Sequence, residues 1–112
     1  MHAIAIEEHF TAPHLTARID PEAVRRRGFR PRRLAPGAVN PMELAAEIGP
    51  RRLALMDEAG IRMQVLSLTG AGPDLLPGPE GVALAAALND QLAEAVARAP
   101  DRFAGFAALP MA

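Results

Sequence analysis

The sequence predicts an α/β fold with a parallel sheet, because three strand-like segments alternate with helical segments along its 112 residues. The segments follow in this order: strand 4–10, irregular excursion 11–42, helix 43–59, strand 63–69, loop 70–79, helix 80–98 and strand 103–109. Parallel sheets are normally covered on both faces, and a closed barrel of such units takes about 250 residues. We therefore expect residues 1–112 to form part of a single domain that they do not complete.

The first two segments differ sharply in composition. Residues 4–10 begin with β-branched side chains and end with polar ones, which is typical of a strand that enters a loop. Residues 11–42 hold repeated prolines together with Gly28 and Gly37, which disfavour long regular elements. This stretch is predicted to be an irregular excursion with room for one short helix, and a loop of such length is usually functional.

The two helices are predicted from their breaks and their apolar spacing. The first is expected to bend or restart at Gly49-Pro50, and Gly60 is placed to cap its end. The second has apolar side chains at every fourth position, which predicts a buried stripe: Leu84, Leu88, Leu92 and Val96. Asn89 and Asp90 are mediocre helix formers in its middle, which indicates either a hydrogen bond to a neighbouring loop or simple exposure.

Composition and charge argue against several classes of function. The formal net charge is −1, so no global field attracts nucleic acid or an anionic membrane. Cysteine is absent, which excludes disulfides and thiolate metal sites. No run approaches the ~20 apolar residues of a membrane span. The N-terminus also lacks the pattern of a secretory leader, so a cytoplasmic protein is expected.

The strongest charge run is the arginine-rich segment 25–33. A nucleic-acid or anion patch is one interpretation. The acidic overall balance, the lack of aromatic side chains besides Phe29 and the absence of a binding motif argue against it. We interpret the segment as solvated, or as a partner for carboxylates across a subunit interface.

A Glu-Glu-His tripeptide stands at the end of the first strand. Strict alternation of side chains would place Ala5, Glu7 and His9 on one face, and Ile4 and Ile6 on the other, against the helices. Catalytic groups of βα barrels lie at the carboxyl ends of the strands. A carboxylate and an imidazole on one face can bind a divalent ion such as Zn²⁺. The alternative is that the tripeptide is only the polar end of a strand.

Motifs along the chain resemble, in order, the amidohydrolase-related metal-dependent decarboxylases, such as gamma-resorcylate and dihydroxybenzoate decarboxylases. They are I-A-I-E-E-H-F (4–10), R-R-L-A-L-M-D-E-A-G-I (51–61), Q-V-L-S-L-T (64–69), N-D-Q-L-A (89–93) and P-D-R-F-A-G-F-A-A-L-P-M (100–111). The resemblance covers most of the chain and is weakest over residues 11–42. It implies that residues 1–112 are the N-terminal part of a TIM-like (β/α)8 barrel of the amidohydrolase superfamily, with about the first three strands and two helices.

The resemblance also implies a metal site. In the family the first and third residues of the Glu-x-His element ligate the metal, which corresponds to Glu7 and His9, with Glu8 between them. The other ligands, a His and an Asp from later strands, are not supplied by this chain, and no catalytic residue is assigned within it. The implied cofactor is a divalent ion, Zn²⁺ or Mn²⁺, which acts as Lewis acid and template.

The implied function is non-oxidative decarboxylation of an aromatic or related carboxylic acid. Metal-dependent hydrolysis of an ester, lactone or amide is the alternative among enzymes, since fold alone does not choose the chemistry. A third possibility is a truncated chain without independent activity, which acts only with a complementing chain. The expected partners are a small carboxylic acid and either identical subunits or that complementing chain, without nucleic acid or membrane.

Three further side chains are candidates for contact with substrate. Ser67 and Thr69 share a face of the second strand with Val65, near its carboxyl end. They either line the substrate mouth or only form hydrogen bonds with the backbone. His14 lies in the excursion, where the related enzymes place pocket residues, and the other interpretation is an exposed loop histidine.

Overall fold

The structure, a computed structural model, describes residues 2–30 and 33–111. In chain order the elements are β1 (Ala3–Phe10), α1 (Pro13–Thr16), α2 (Pro21–Arg26), α3 (Pro41–Ala46), α4 (Pro50–Glu58), β2 (Ile61–Leu68), a 3₁₀ turn (Pro73–Leu75), α5 (Gly78–Arg98) and β3 (Phe103–Gly105). The strands lie side by side in the order β1-β2-β3, and both pairs are parallel. The predicted α/β fold with a parallel sheet is confirmed. Within the described ranges no helix combines the length and hydropathy needed to cross a membrane.

Each of the four short helices, α1 to α4, begins with a proline. The predicted first helix is two helices, α3 and α4, and the restart falls at Gly49-Pro50 as expected. Gly60 follows α4 with a φ of +69°, a left-handed conformation suited to glycine at a helix end. The excursion holds two short helices, α1 and α2, where one was expected. At the start of α2 the Asp20 carboxylate accepts a hydrogen bond of 2.9 Å from the Glu22 backbone N–H.

The apolar core lies on one face of the sheet, under α4 and α5. One cluster of buried side chains consists of Phe10, Met56, Leu66, Leu92 and Phe103. A second consists of Ala12, Ile19, Leu84 and Leu88. Val96 is partly buried and packs against the first cluster. The predicted stripe of α5 is therefore confirmed, and each fully buried leucine contributes roughly 1.5–3 kcal/mol.

The register of β1 with β2 is irregular. Six pairs define it: Ala3 with Ile61, Ile4 with Met63, Ala5 with Gln64, Glu8 with Leu66, His9 with Ser67 and Phe10 with Leu68. From Ala5 to Glu8 the first strand advances three residues while the second advances two, which is the count of a β-bulge. Such an insertion moves every later side chain to the opposite face.

This bulge decides what each face of β1 presents. Glu8 pairs with the buried Leu66 and therefore lies on the helix side of the sheet. His9 pairs with Ser67 on the other side. We call this second side the open face, and β2 contributes three residues to it: Met63, Val65 and Ser67.

The predicted packing of Ile4 and Ile6 against the helices is wrong. Their side chains are 59% and 70% exposed. Ala5, which was expected to share a face with His9, instead pairs with the buried Gln64 on the helix side. Strict alternation fails here because it assumes one residue per pairing step, and the bulge adds one.

β3 is shorter than the predicted strand 103–109. The Phe106 N–H still donates a hydrogen bond of 2.9 Å to β2, but α5 holds the chain beyond that point. The Asn89 Nδ2 donates to the Ala108 carbonyl oxygen at 3.0 Å, and the Asn89 Oδ1 accepts from the Ala108 N–H at 2.7 Å. This amide takes the place of ladder hydrogen bonds. Of the two interpretations of Asn89, the hydrogen bond to a neighbouring loop is confirmed.

Replacing Asn89 by Asp is expected to loosen the segment after β3. A carboxylate still accepts from the Ala108 N–H, but it cannot donate to the Ala108 carbonyl and repels it. We expect the free energy of unfolding to fall by about 1–3 kcal/mol, with faster hydrogen exchange at the Ala108 amide. The control Asp90→Asn changes an exposed neighbour and should alter stability by less than about 0.5 kcal/mol. Equal losses in both variants would contradict the role of Asn89.

Two arginines of the basic segment 25–33 pair with carboxylates of this chain. The Arg25 guanidinium lies 2.6 Å from the Glu22 carboxylate one turn away. Arg27 pairs with Asp74 and so ties α2 to the loop after β2. Exposed pairs such as these contribute little to stability, about 0–1 kcal/mol. Pro31 and Arg32, which also belong to the predicted run, lie outside the described residues.

Candidate metal centre at the carboxyl end of the first strand

Glu7 and His9 lie at the carboxyl end of β1 and are both exposed. His9 is on the open face, beside Ser67 of the neighbouring strand. Glu7 falls within the bulge between Ala5 and Glu8, where no residue of β2 pairs with it. The two predicted ligands therefore stand two residues apart at the edge of the sheet where βα barrels carry their chemistry.

The His9 ring is in contact with β2. Its Nδ1 lies 3.2 Å from the Ser67 Oγ. The same hydroxyl lies 3.4 Å from the backbone carbonyl oxygen of Glu8, to which it donates. Ser67 therefore does bond to backbone, as one interpretation expected, and in addition it touches the imidazole. Both contacts are long for hydrogen bonds of their types.

An arginine of α4 holds the backbone of this strand end from the helix side. The half-buried Arg52 guanidinium donates to oxygens of four segments: His9 O (3.0 Å), Leu44 O (3.2 Å), Ala45 O (3.3 Å), Glu47 O (2.8 Å) and Gln64 Oε1 (3.2 Å). Its backbone N–H also donates to the Glu47 carboxylate at 2.8 Å. One side chain thus connects β1, β2, α3 and the turn before α4.

The charge of Arg52 is balanced by two carboxylates. Burial lowers the pKa of the Arg52 guanidinium below its ordinary value, and the negative charges of Glu8 and Glu47 act in the opposite direction. An arginine remains protonated under all ordinary conditions. Glu8, the residue between the two predicted ligands, therefore balances the charge of Arg52 on the helix side of the sheet.

The other predicted site residues lie at different distances from this centre. Thr69 follows β2, and its backbone N–H donates to the Phe10 carbonyl oxygen at 3.0 Å, so it is next to the end of β1. His14 is exposed on α1, and no hydrogen bond among the described residues links it to His9. The structure brings His9 and Ser67 into contact, with Thr69 next to the end of β1 and Glu7 two residues before His9 on the same strand.

The donor chemistry of Glu7 and His9 fits part of a divalent metal site. A carboxylate oxygen and an imidazole nitrogen are ligands that Zn²⁺ and Mn²⁺ accept. Among residues 2–30 and 33–111, no group of three or more His, Cys, Asp or Glu side chains is arranged to hold a metal ion. The two residues would therefore supply some of the ligands, in agreement with the expectation that others come from elsewhere.

Sequence reasoning missed Arg52 and the link between Ser67 and His9. A signal for Arg52 was present, since it stands four residues before Met56, the buried residue of α4, and positions four apart share one helix face. An arginine on the buried stripe of a helix requires hydrogen-bond partners. The contact of Ser67 with His9 depends on the bulge, which has no comparable mark in the sequence.

Comparisons with known proteins agree on one group of enzymes. No protein-family model matches the chain. A gamma-resorcylate decarboxylase of Rhodococcus jostii (strain RHA1) is 40% identical over 112 residues, which cover 96% of this chain and 30% of the relative. A gamma-resorcylate decarboxylase of Rhizobium radiobacter is 44% identical over 66 residues, 58% of this chain and 20% of the relative. The chain thus spans less than a third of these curated relatives.

Solved structures give the same result. The dihydroxybenzoic acid decarboxylase of Polaromonas sp. JS666, with bound manganese and the inhibitor 2-nitroresorcinol, has a TM-score of 0.72 and 34% identity. The match covers 99% of this chain and 31% of that one. The 5-carboxyvanillate decarboxylase of Novosphingobium aromaticivorans DSM 12444, complexed with manganese and 4-hydroxy-3-methoxy-5-nitrobenzoic acid, has a TM-score of 0.74 and 30% identity. That match covers 95% of this chain and 33% of the other. The chain is therefore a homologue of the metal-dependent decarboxylases of the amidohydrolase superfamily and corresponds to an incomplete, N-terminal part of their TIM-like (β/α)8 barrel.

Proposed function

We propose that the protein carrying this chain is a metal-dependent, non-oxidative decarboxylase of a hydroxylated aromatic acid, with Glu7 and His9 among its metal ligands. The observation that supports this most strongly is the exposure of these two side chains at the carboxyl end of β1, in a chain homologous to manganese-containing decarboxylases. The metal would be Mn²⁺ or Zn²⁺.

A divalent ion, when bound, supplies a Lewis acid and a template for the oxygen atoms of the substrate. The chain's own residues would hold that ion and keep its surroundings in order. Glu7 would contribute a negatively charged oxygen and His9 a neutral nitrogen. The Arg52 guanidinium donates a hydrogen bond of 3.0 Å to the His9 carbonyl oxygen, which would hold the backbone of His9 in place.

The open face would become the barrel interior. Its exposed apolar side chains include Ile4 (59%), Ile6 (70%) and, after β3, Phe106 (60%). In a closed barrel such side chains form packed layers below the active site and exclude water from it. Further βα units, from the same protein or from a complementing chain, would cover this surface. Assembly into homo-oligomers is also part of the proposal.

The homologues support this choice of substrate class. Relatives are described as acting on gamma-resorcylate, dihydroxybenzoate or 5-carboxyvanillate. All are aromatic acids with ring oxygen substituents. In the proposed reaction the bond between the ring and the carboxylate carbon breaks, carbon dioxide leaves, and the ring carbon takes a proton.

The test is a decarboxylation assay on the full-length protein. With Mn²⁺ present, we expect loss of carbon dioxide from 2,6-dihydroxybenzoate or 5-carboxyvanillate, followed by absorbance and product chromatography. A chelator should abolish the activity, and added Mn²⁺ should restore it. Carbon dioxide release that a chelator leaves unchanged would contradict the proposal. Metal-dependent cleavage of esters or lactones without any decarboxylation would favour the hydrolase alternative.

A further inference from the structure

We propose that Ser67 is a positioning residue that fixes the tautomer of His9, so that the ring presents an unprotonated Nε2 at the open face. The inference rests on the function proposed above, because that function gives the free nitrogen a divalent ion to bind. Ser67 itself would touch neither metal nor substrate.

The direction of the two Ser67 contacts follows from what each partner can do. A serine hydroxyl has one proton to donate and lone pairs that accept. The Glu8 backbone carbonyl oxygen, 3.4 Å from the Ser67 Oγ, can only accept. If the hydroxyl proton is directed to that carbonyl, a lone pair of the Oγ is left for the His9 Nδ1, at 3.2 Å. The Nδ1 must then carry the proton of this contact.

The proton on Nδ1 determines the state of the other nitrogen. A neutral imidazole has one donor nitrogen and one acceptor nitrogen, so Nε2 then has a free lone pair. Among the described residues, the hydrogen bond of the His9 ring is made at Nδ1. Histidines that bind metals commonly donate their second ring N–H to an oxygen, which orients the ring and raises its basicity. Here the hydroxyl oxygen of Ser67, on the adjacent strand, would accept the hydrogen bond from the second ring N–H.

The sheet register makes this arrangement specific. His9 and Ser67 are direct partners across β1 and β2, and both lie on the open face. The carbonyl that receives the Ser67 proton belongs to Glu8, the residue before His9, so one hydroxyl spans the ring and the backbone that carries it. From the opposite side Arg52 donates to the His9 carbonyl oxygen. The orientation of the His9 ring is therefore fixed by contacts with both β1 and β2.

The opposite direction of the hydrogen bond between Ser67 and His9 would give a different tautomer of the ring. If Ser67 donated to Nδ1, the proton of the ring would be on Nε2, and the Glu8 carbonyl would lose its side-chain donor. Nε2 would then be blocked for a metal ion until it lost that proton. The two arrangements differ in an observable, the position of the ring proton in the absence of metal.

The experiment uses full-length, metal-free protein with ¹⁵N-labelled histidine, at a mildly alkaline pH of about 8.5. Long-range ¹H–¹⁵N correlation spectra report which nitrogen is protonated, and the His9→Gln variant identifies the His9 signals. We expect the Nδ1–H tautomer in the wild type and in Ser67→Thr, which keeps the hydroxyl. In Ser67→Ala we expect the Nε2–H tautomer to gain population.

Mn²⁺ affinity provides the second readout, measured by calorimetry on the same three proteins. We expect Ser67→Ala to raise the Kd by about 10- to 100-fold, the usual effect of removing a group that orients a metal ligand. Ser67→Thr should recover most of the affinity. An Nε2–H tautomer in the wild type would overturn the inference without any variant. Unchanged tautomer and affinity in a folded Ser67→Ala protein would overturn it as well.

The outcomes also separate this inference from the proposed function. Decarboxylation by a wild type with the Nε2–H tautomer would refute the role of Ser67 and leave the function intact. An Nδ1–H tautomer that depends on Ser67, in a protein that binds neither Mn²⁺ nor Zn²⁺, would support the role of Ser67 on the ring and refute the metal-dependent function.

Discussion

Replacing Glu7 or His9 by glutamine is expected to remove bound metal and decarboxylase activity together. Each substitution keeps a polar side chain but removes the charged oxygen or the ring nitrogen that the proposed site requires. The Kd for Mn²⁺ should rise by at least about 100-fold, beyond the range typical of residues that only orient a ligand. Metal content by mass spectrometry and the decarboxylation rate would be measured on the same preparations.

Glu8→Gln is the matched control for these two variants. Glu8 stands between the two predicted ligands but pairs with Leu66 on the helix side and faces the charge of Arg52. We expect near-normal metal content and a small loss of stability, since one carboxylate near a half-buried guanidinium is neutralised. Loss of metal in Glu8→Gln as large as in Glu7→Gln would contradict the face assignment of β1.

Replacing Arg52 by methionine is expected to give the largest loss of stability. Methionine preserves the apolar contacts of the stem but leaves the carbonyl oxygens of His9, Leu44, Ala45 and Glu47 without this donor. The Leu44 and Ala45 oxygens would each keep one backbone donor, the Glu47 and Thr11 N–H groups. The His9 and Glu47 oxygens would lose the guanidinium that links them to the rest of the site. We expect the free energy of unfolding to fall by on the order of 2–3 kcal/mol, measured by urea denaturation. Metal affinity should fall too, because the backbone under His9 is released.

Arg51→Met is the control for Arg52→Met. Arg51 is the preceding residue of α4 and is exposed, so the same chemical change should alter stability by less than about 0.5 kcal/mol. Equal destabilisation by the two substitutions would show that loss of positive charge on α4, and not the hydrogen bonds of Arg52, is responsible.

The features predicted correctly from the sequence are those with a strong local cause. The leucine stripe of α5 follows from helical spacing, and the restart at Gly49-Pro50 follows from backbone chemistry that proline imposes locally. The hydrogen bond of Asn89 to a loop was one of two interpretations and is confirmed. Asparagine has a low helix propensity, so its presence in the middle of a long helix indicated a role for its side chain.

The errors arise where pairing between strands decides the outcome. The wrong placement of Ile4, Ile6 and Ala5 has a single cause, the bulge between Ala5 and Glu8. A register shift depends on how two distant segments fit, so spacing along one strand does not reveal it. The premature end of β3 is of the same kind, since Asn89 of α5 takes over the backbone of Ala108.

The site was predicted in part, and for a similar reason. The Glu-Glu-His tripeptide and the family resemblance singled out Glu7 and His9, and that assignment stays a prediction. The neighbours that hold His9 come from 43 and 58 residues further along the chain. Only the folded sheet brings Arg52 to the carbonyl and Ser67 to the ring.

Anomalous diffraction at the manganese edge, on crystals of the full-length protein grown with Mn²⁺, is the most direct test of the metal site. We expect one peak within coordination distance, roughly 2.0–2.5 Å, of both a Glu7 carboxylate oxygen and the His9 Nε2. A peak that contacts neither side chain, or none at the carboxyl end of β1 in crystals of active protein, would contradict the account.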